Sequence, residues 1–104
     1  MPRPEREAGG EVIEKRKPKT RKPRLFHVVL HNDDYTTMEF VVKILEGVFQ
    51  KPEPEAFRIM MQVHLQGKGI CGAFTYEVAE TKVATVHDLA QDAGFPLRAT
   101  VEEV

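Results

Sequence analysis

Residues 25–49 read LFHVVLHNDDYTTMEFVVKILEGVF, and this stretch decides the fold. Its opening, LFHVVLH over residues 25–31, has the β-branched and aromatic content of a strand. Asn32, Asp33, Asp34 and Tyr35 then break the strand, because short Asx side chains bond their own neighbouring backbone. Thr36 and Glu39 have the Thr-x-x-Glu spacing of a capping box, which predicts Thr36 as the N-cap of a helix. Met38, Val41, Val42, Leu45, Val48 and Phe49 follow at helical spacing, and Phe40 and Ile44 widen the apolar face. A strand therefore passes through a short acidic turn straight into an amphipathic helix.

Working toward the C-terminus, Lys51-Pro52-Glu53-Pro54 stops that helix. A second helix is predicted from about Pro54 to Gln66, with Ala56, Ile59, Met60 and Val63 inward and Gly67 as its left-handed stop. Ile70–Thr75 reads as a second strand, in which Gly72 would let another backbone approach. Val78, Val83, Val86, Leu89, Ala90 and Ala93 mark a third helix closed by Gly94, and a last strand covers about Leu97–Val101. The order β-α-α-β-α-β predicts an α+β domain over residues 25–104: a small three-stranded antiparallel sheet with three helices packed on one face.

Toward the N-terminus the composition changes. Residues 1–24 hold nine Lys or Arg against four Glu, a net +5, whereas residues 25–104 hold six against twelve acidic residues, a net −6. Residues 1–24 also contain four prolines and few apolar side chains, too little to offset the entropy of ordering, so a flexible basic extension is expected. The whole chain of 104 residues has a single cysteine, which excludes a disulfide framework and a multi-cysteine zinc ribbon. No apolar run nears the roughly 20 residues of a membrane span, and MPRPEREAGG lacks the apolar core of a secretory signal. A cytoplasmic protein is expected.

Few residues can carry chemistry. Gly67, Gly69 and Gly72 match no phosphate loop, Cys71 sits among apolar neighbours as an inert thiol, and His87 reads as a solvated surface residue. His27 and His31 share a strand face and, with Asp33 and Asp34, offer a possible metal set; their spacing matches no recognised motif. Two adjacent carboxylates exceed what a helix cap requires. If the second helix packs beside the first, His64 joins Asn32, Asp33 and Asp34 around an apolar hollow of Met38, Val41, Met60 and Val63. An ammonium group needs about three acceptors and an attached apolar side chain needs a dry pocket. A free amino terminus with a bulky apolar first residue supplies both.

The segments NDDYTTMEFVVKILEGVF, MMQVHLQGKGICGAFTYEVAETKVA and FPLRATVEEV, in this order, closely resemble the bacterial ATP-dependent Clp protease adaptor family, ClpS, over about residues 25–104. The resemblance implies a non-enzymatic N-end-rule adaptor. It would bind proteins with Leu, Phe, Tyr or Trp at the amino terminus and deliver them to the N-terminal domain of the Clp AAA+ unfoldase. It further implies that Asn32, Asp33, Asp34 and His64 hold the α-amino group, without dividing the task between the two aspartates. The side-chain pocket would comprise Leu30, Thr36, Met38, Val41, Met60, Val63 and Leu97, with Met38 excluding β-branched residues, and the unfoldase would dock at Glu77, Glu80 and Lys82. No cofactor, metal, nucleic acid or membrane is implied. Thr37 stands where the family usually has proline, and His31, beside the pocket, where it has an aliphatic residue. Two rival readings remain at this point: a nucleic-acid-binding domain using the basic extension, and a metal-dependent hydrolase using His27, His31, Asp33 and Asp34.

Overall fold

The computed structural model describes residues 22–104, so the extension expected at 1–24 lies outside it except for Lys22, Pro23 and Arg24. Six elements follow one another: β1 (Phe26–His31), α1 (Met38–Gly47), α2 (Glu53–Gln66), β2 (Lys68–Phe74), α3 (Tyr76–Ala93) and β3 (Arg98–Glu103). The expected α+β order is the observed one. β1 is the central strand of the sheet, antiparallel to β2 on one side and to β3 on the other. Both neighbours pair along its whole length, from Phe26 opposite Phe74 and Glu103 to His31 opposite Lys68 and Arg98. This full pairing explains why β2 begins at Lys68 rather than Ile70 and why β3 runs to Glu103 rather than Val101. A bulge between Val28 and Val29 shifts the β2 register. There the site of a Cβ on Gly72 is filled by the Phe74 ring, not by the expected second backbone.

One apolar core lies between sheet and helices. Val28 and Leu30 of β1 meet Val41, Ile44 and Leu45 of α1, Ala56, Ile59, Met60 and Val63 of α2, and Ala79, Val86 and Ala90 of α3. The α2 face is the one expected. On α3, Val86 and Ala90 are buried and Val83 packs against the core as expected, whereas Val78 and Leu89 stay 45% and 43% exposed and Ala79 is buried instead. Two alanines on the inward stripe let α3 approach the sheet closely, and the larger Val78 and Leu89 fall outside the seam. His87 is exposed as expected, and its Nε2 also accepts the backbone N–H of Ala99 at 3.0 Å. It thereby pairs an amide that the edge strand β3 would otherwise leave open.

The helix ends carry the information that places the site. α1 ends at a Val48 cap, and Gln50 then turns the chain with φ 50°, so a left-handed glutamine precedes the Lys-Pro break. Lys82 of α3 donates to the Val48 carbonyl at 2.8 Å and lies over the rings of Phe49 and Phe74. It supplies the cation that the last turn of α1 lacks. Gly67 closes α2 with φ 92°, its N–H bonded to Val63, and turns the chain at once into β2. The Asn32 amide then donates to the Gly67 carbonyl at 2.9 Å. That bond ties the end of β1 to the end of α2.

Candidate functional site

Two consequences of the sequence meet at this tie. The acidic turn leaves the tip of β1, and His64 sits in the last turn of α2. The turn is organised by Asp33. Its Oδ1 accepts the backbone N–H groups of Tyr35 and Thr36 at 2.8 and 2.7 Å, and its Oδ2 accepts the Thr36 hydroxyl at 2.7 Å. Partial burial works to raise the Asp33 pKa, but the hydrogen bonds from Thr36 and Tyr35 outweigh it and hold the carboxyl below its usual value. Because Asp33 occupies both the amide and the hydroxyl of Thr36, the cap passes to the next residue. Thr37, not Thr36, is the N-cap, its side chain accepting the Phe40 N–H at 3.1 Å. Glu39 thus stands one position too early for the expected capping box. The sequence signal for this arrangement is Asp33-x-x-Thr36, which competes with Thr36-x-x-Glu39 for the same threonine.

A cavity of about 250 Å³ opens beside the turn, lined by Asn32, Asp33, Asp34, Thr36, Met38, Val41, Met60, Val63 and His64. Its depth is apolar: Val41, Met60 and Val63 are buried, while Met38 is 43% exposed at the mouth. Its lip is polar. Among the described residues, the side chains of Asn32, Asp34 and His64 make no hydrogen bond, whereas Asp33 is committed to the loop. Such a cup can take one apolar side chain with a polar, donor-rich group attached to it. It is smaller than the roughly 300–1,000 Å³ of a small-molecule site.

The other expected site residues fall elsewhere. Leu30 and Leu97 are buried in the common core and do not line the cavity. His31, expected beside the pocket, is bonded through Nε2 to Thr100 Oγ1 of β3 at 2.7 Å and does not line it either. Glu77 and Glu80 are exposed on the first turns of α3, and Lys82 is half-buried by its contacts with α1. Among the described residues, no three His, Cys, Asp or Glu side chains converge to hold a metal ion, so the set His27, His31, Asp33 and Asp34 is not assembled. Cys71 is buried and its thiol is pushed up to about 12 by that burial, which leaves it unreactive. No described helix is long and apolar enough to cross a membrane.

Fold and cup together define a class: a three-helix, three-strand α+β domain with a polar-lipped apolar pocket at its first strand–helix junction. The family model "ATP-dependent Clp protease adaptor protein ClpS" matches residues 21–100. The ClpS adapter of Desulfatibacillum aliphaticivorans is 57% identical over 93 residues, 89% of this chain and 89% of that protein. The ClpS adapter of Nitratidesulfovibrio vulgaris (strain DSM 19637 / Miyazaki F) is 63% identical over 84 residues, 81% of this chain and 84% of that protein. Among solved structures, Agrobacterium tumefaciens ClpS2 bound to L-phenylalaninamide superposes with a TM-score of 0.76 at 41% identity, covering 80% of this chain and 100% of that one. The chain belongs to the ClpS family of ATP-dependent Clp protease adaptor proteins. Its relatives are named as adaptors, not as enzymes.

Proposed function

We propose that this chain is an N-end-rule adaptor: it binds polypeptides whose first residue is Leu, Phe, Tyr or Trp and hands them to a Clp AAA+ unfoldase. One observation carries the reading. Asn32, Asp34 and His64, without hydrogen-bond partners among the described residues, surround the mouth of an apolar cup of about 250 Å³. An α-ammonium offers up to three donors, and the first side chain would fill the space between Met38, Val41, Met60 and Val63. To accept from the ammonium, His64 must keep one ring nitrogen unprotonated. The related ClpS2 structure holds phenylalaninamide, a free amine on an aromatic side chain, and so supports the same ligand chemistry here.

In this reading Asp34 faces the amine and Asp33 positions the loop. Met38 at the mouth narrows the entrance, so Ile and Val, branched at Cβ, are excluded. Glu77 and Glu80 present a charged face to the N-terminal domain of the unfoldase, and residues 1–24 serve in hand-over rather than in peptide binding. The test has two arms. Peptides differing only in the first residue should bind when it is Leu, Phe, Tyr or Trp and bind poorly when it is Ile or Val. A chain lacking residues 1–24 should keep those affinities yet fail to support degradation of a Leu-initiated substrate. Equal affinity for Leu and Val peptides, or undiminished degradation with the shortened chain, would contradict the corresponding arm.

A further inference from the structure

We propose that the chain's own basic segment, residues 15–22, seats on the aromatic and acidic end of the domain where β1 and α3 begin, and that it covers the Glu77–Glu80 face until the unfoldase displaces it. The inference rests on the docking reading above and adds to it a regulation by the chain itself.

The described chain enters the domain at this end. β1 runs from Phe26 to His31 and the cup opens beyond His31, so Phe26 marks the opposite end of the sheet, where β3 finishes and α3 starts. Arg24 is already seated there. Its guanidinium lies 5.2 Å from the centre of the Phe26 ring and 3.3 Å from the Glu103 carboxylate. Tyr76 packs edge-on against the same ring at 5.2 Å and keeps 51% of its surface exposed. The Glu80 carboxylate beside it pushes the Tyr76 phenol above its ordinary value. Glu80 also precedes His87 by two helical turns, and His87 bonds Ala99, so Glu80 faces the end of β3 that carries Glu103. Arg24, Phe26, Tyr76 and Glu80 thus form one line of contacts, from the entry of the basic segment to the face assigned to the unfoldase.

Charge and length agree with this seat. Six of the eight residues from Lys15 to Lys22 are Lys or Arg, and none is acidic. Opposite them stand Glu77, Glu80 and Glu103, while Lys82 is turned away to the Val48 carbonyl. The stems of the long cations would lie on Tyr76 and on Val78, which is 45% exposed. Eight extended residues reach about 26–29 Å, more than the roughly 11 Å of two helical turns. A second copy would bring an equally acidic end to the same place, which argues against a homodimer through it.

The test uses the full chain with a nitroxide attached through Lys17→Cys; Cys71, buried with its thiol pushed up to about 12, takes no label. At low salt the label should broaden the amide resonances of Tyr76–Glu80 and of Glu103 and leave those of Asn32–Thr36 and His64 sharp. The broadening should fade at about 0.5 M salt, and Glu103→Gln should weaken it. Deleting residues 1–21 should tighten binding to the unfoldase N-terminal domain about threefold at low salt, the factor expected when two-thirds of the molecules hold the face covered. Phenylalaninamide affinity should stay the same throughout. Broadening that is absent, or spread evenly over the surface, overturns the proposal. Broadening that passes only from labelled to unlabelled copies in a mixed sample makes the occupant another chain's segment and overturns it as well. If the label broadens the α3 face but the deletion leaves docking unchanged, the seat stands and the docking reading at Glu77 and Glu80 is what fails.

Discussion

The two junctions at which a strand enters a helix are built differently. Between β1 and α1 the chain uses six residues, Asn32–Thr37, and one carboxylate, Asp33, takes three hydrogen bonds of 2.7–2.8 Å to fix their course. Between β2 and α3 it uses one residue, Thr75, whose side chain makes no cap bond, and the first turns of the helix leave Glu77 and Glu80 in solvent. The long junction holds its acceptors at the lip of an apolar cup, and the short one sets charges on an open surface. A group that must be desolvated needs acceptors already in place, because reorganising them would cost part of the binding energy. A broad protein contact gains little from rigid individual charges at its edge. Under the proposed function, the first junction suits a small buried ligand and the second a large partner.

The strongest way to break that comparison is to remove charge at the cup. Acetylating a Phe-initiated peptide takes away the positive charge and most donors, while Asp34→Ala removes an acceptor with no other partner among the described residues. Each change should cost on the order of 2–5 kcal/mol of affinity, the usual penalty for truncating one side of a desolvated charged contact. Calorimetric titration reads it directly. Binding of the acetylated peptide at full strength would mean that the cup recognises internal sequence.

Asp33→Ala should have the next largest effect, of a different kind. It leaves the Tyr35 amide and both the amide and hydroxyl of Thr36 without their acceptor, at about 1–3 kcal/mol for the set that water does not recover. Stability and ligand affinity should fall together, whereas Asp34→Ala should lower affinity alone. The pH dependence has a definite sign. Since the folded Asp33 carboxyl lies below its ordinary value of 3.8, the folded state binds fewer protons in that range. Its contribution is therefore complete above about 4 and is lost as pH falls through the lower folded value. Urea melts from pH 2 to 6 on the native chain and Asp33→Ala test this, and identical acid limbs would refute it.

At the short junction effects should be small and spread out. Glu77→Lys and Glu80→Lys should each change the affinity for the unfoldase N-terminal domain by about 0.2–1 kcal/mol, with less effect at high salt. Phenylalaninamide affinity should not move. If one of these exposed charges alone abolished docking, the second junction would be as sharply built as the first. Lys82 is the exception within this face, because its ammonium already holds the Val48 carbonyl, and a loss on its substitution would mix docking with the stability of α1.

These contrasts also explain what could be read from the chain. Every element was legible, because β-branched and aromatic content marks β1, 3.6-residue periodicity marks the helices, and Gly67 and Gly94 punctuate them with φ of 92° and 83°. The cup's apolar wall was legible for the same reason, since Val41, Met60 and Val63 repeat on inward helix faces. Leu30 and Leu97 were not separable from that wall, because a core residue and a pocket residue obey the same pattern until the cavity has a position. The two aspartates looked equivalent because sequence shows acceptors without showing which donors they have found. The cap was misplaced by one residue for that reason: Thr36 was already bonded to Asp33. On α3 the inward Val83, Val86 and Ala90 were legible, but Ala79 was not, because an alanine carries almost no periodic signal.

The smallest effect lies just outside the long junction and shows where it ends. His31 immediately precedes the turn, yet its ring bonds Thr100 on β3 and does not line the cup. Burial, then the positive charges of Arg98 and Lys68, lower its pKa from the ordinary 6.5, and Glu102 only partly opposes them. A lowered histidine pKa means that the unfolded chain takes up the proton first. Stability should therefore be complete above about pH 6.5, decline as pH falls toward the lower folded value, and level off beneath it. Partial solvation of the ring keeps this decline shallow. Urea melts between pH 5 and 8 should show it in the native chain, and His31→Val should flatten it. Phenylalaninamide affinity over the same range should be unchanged by His31→Val and weakened by His64→Ala, because only His64 reaches the cup. If His31→Val altered the pH dependence of binding rather than of unfolding, the strand tip would belong to the binding junction, and the boundary drawn at Asn32 would be wrong.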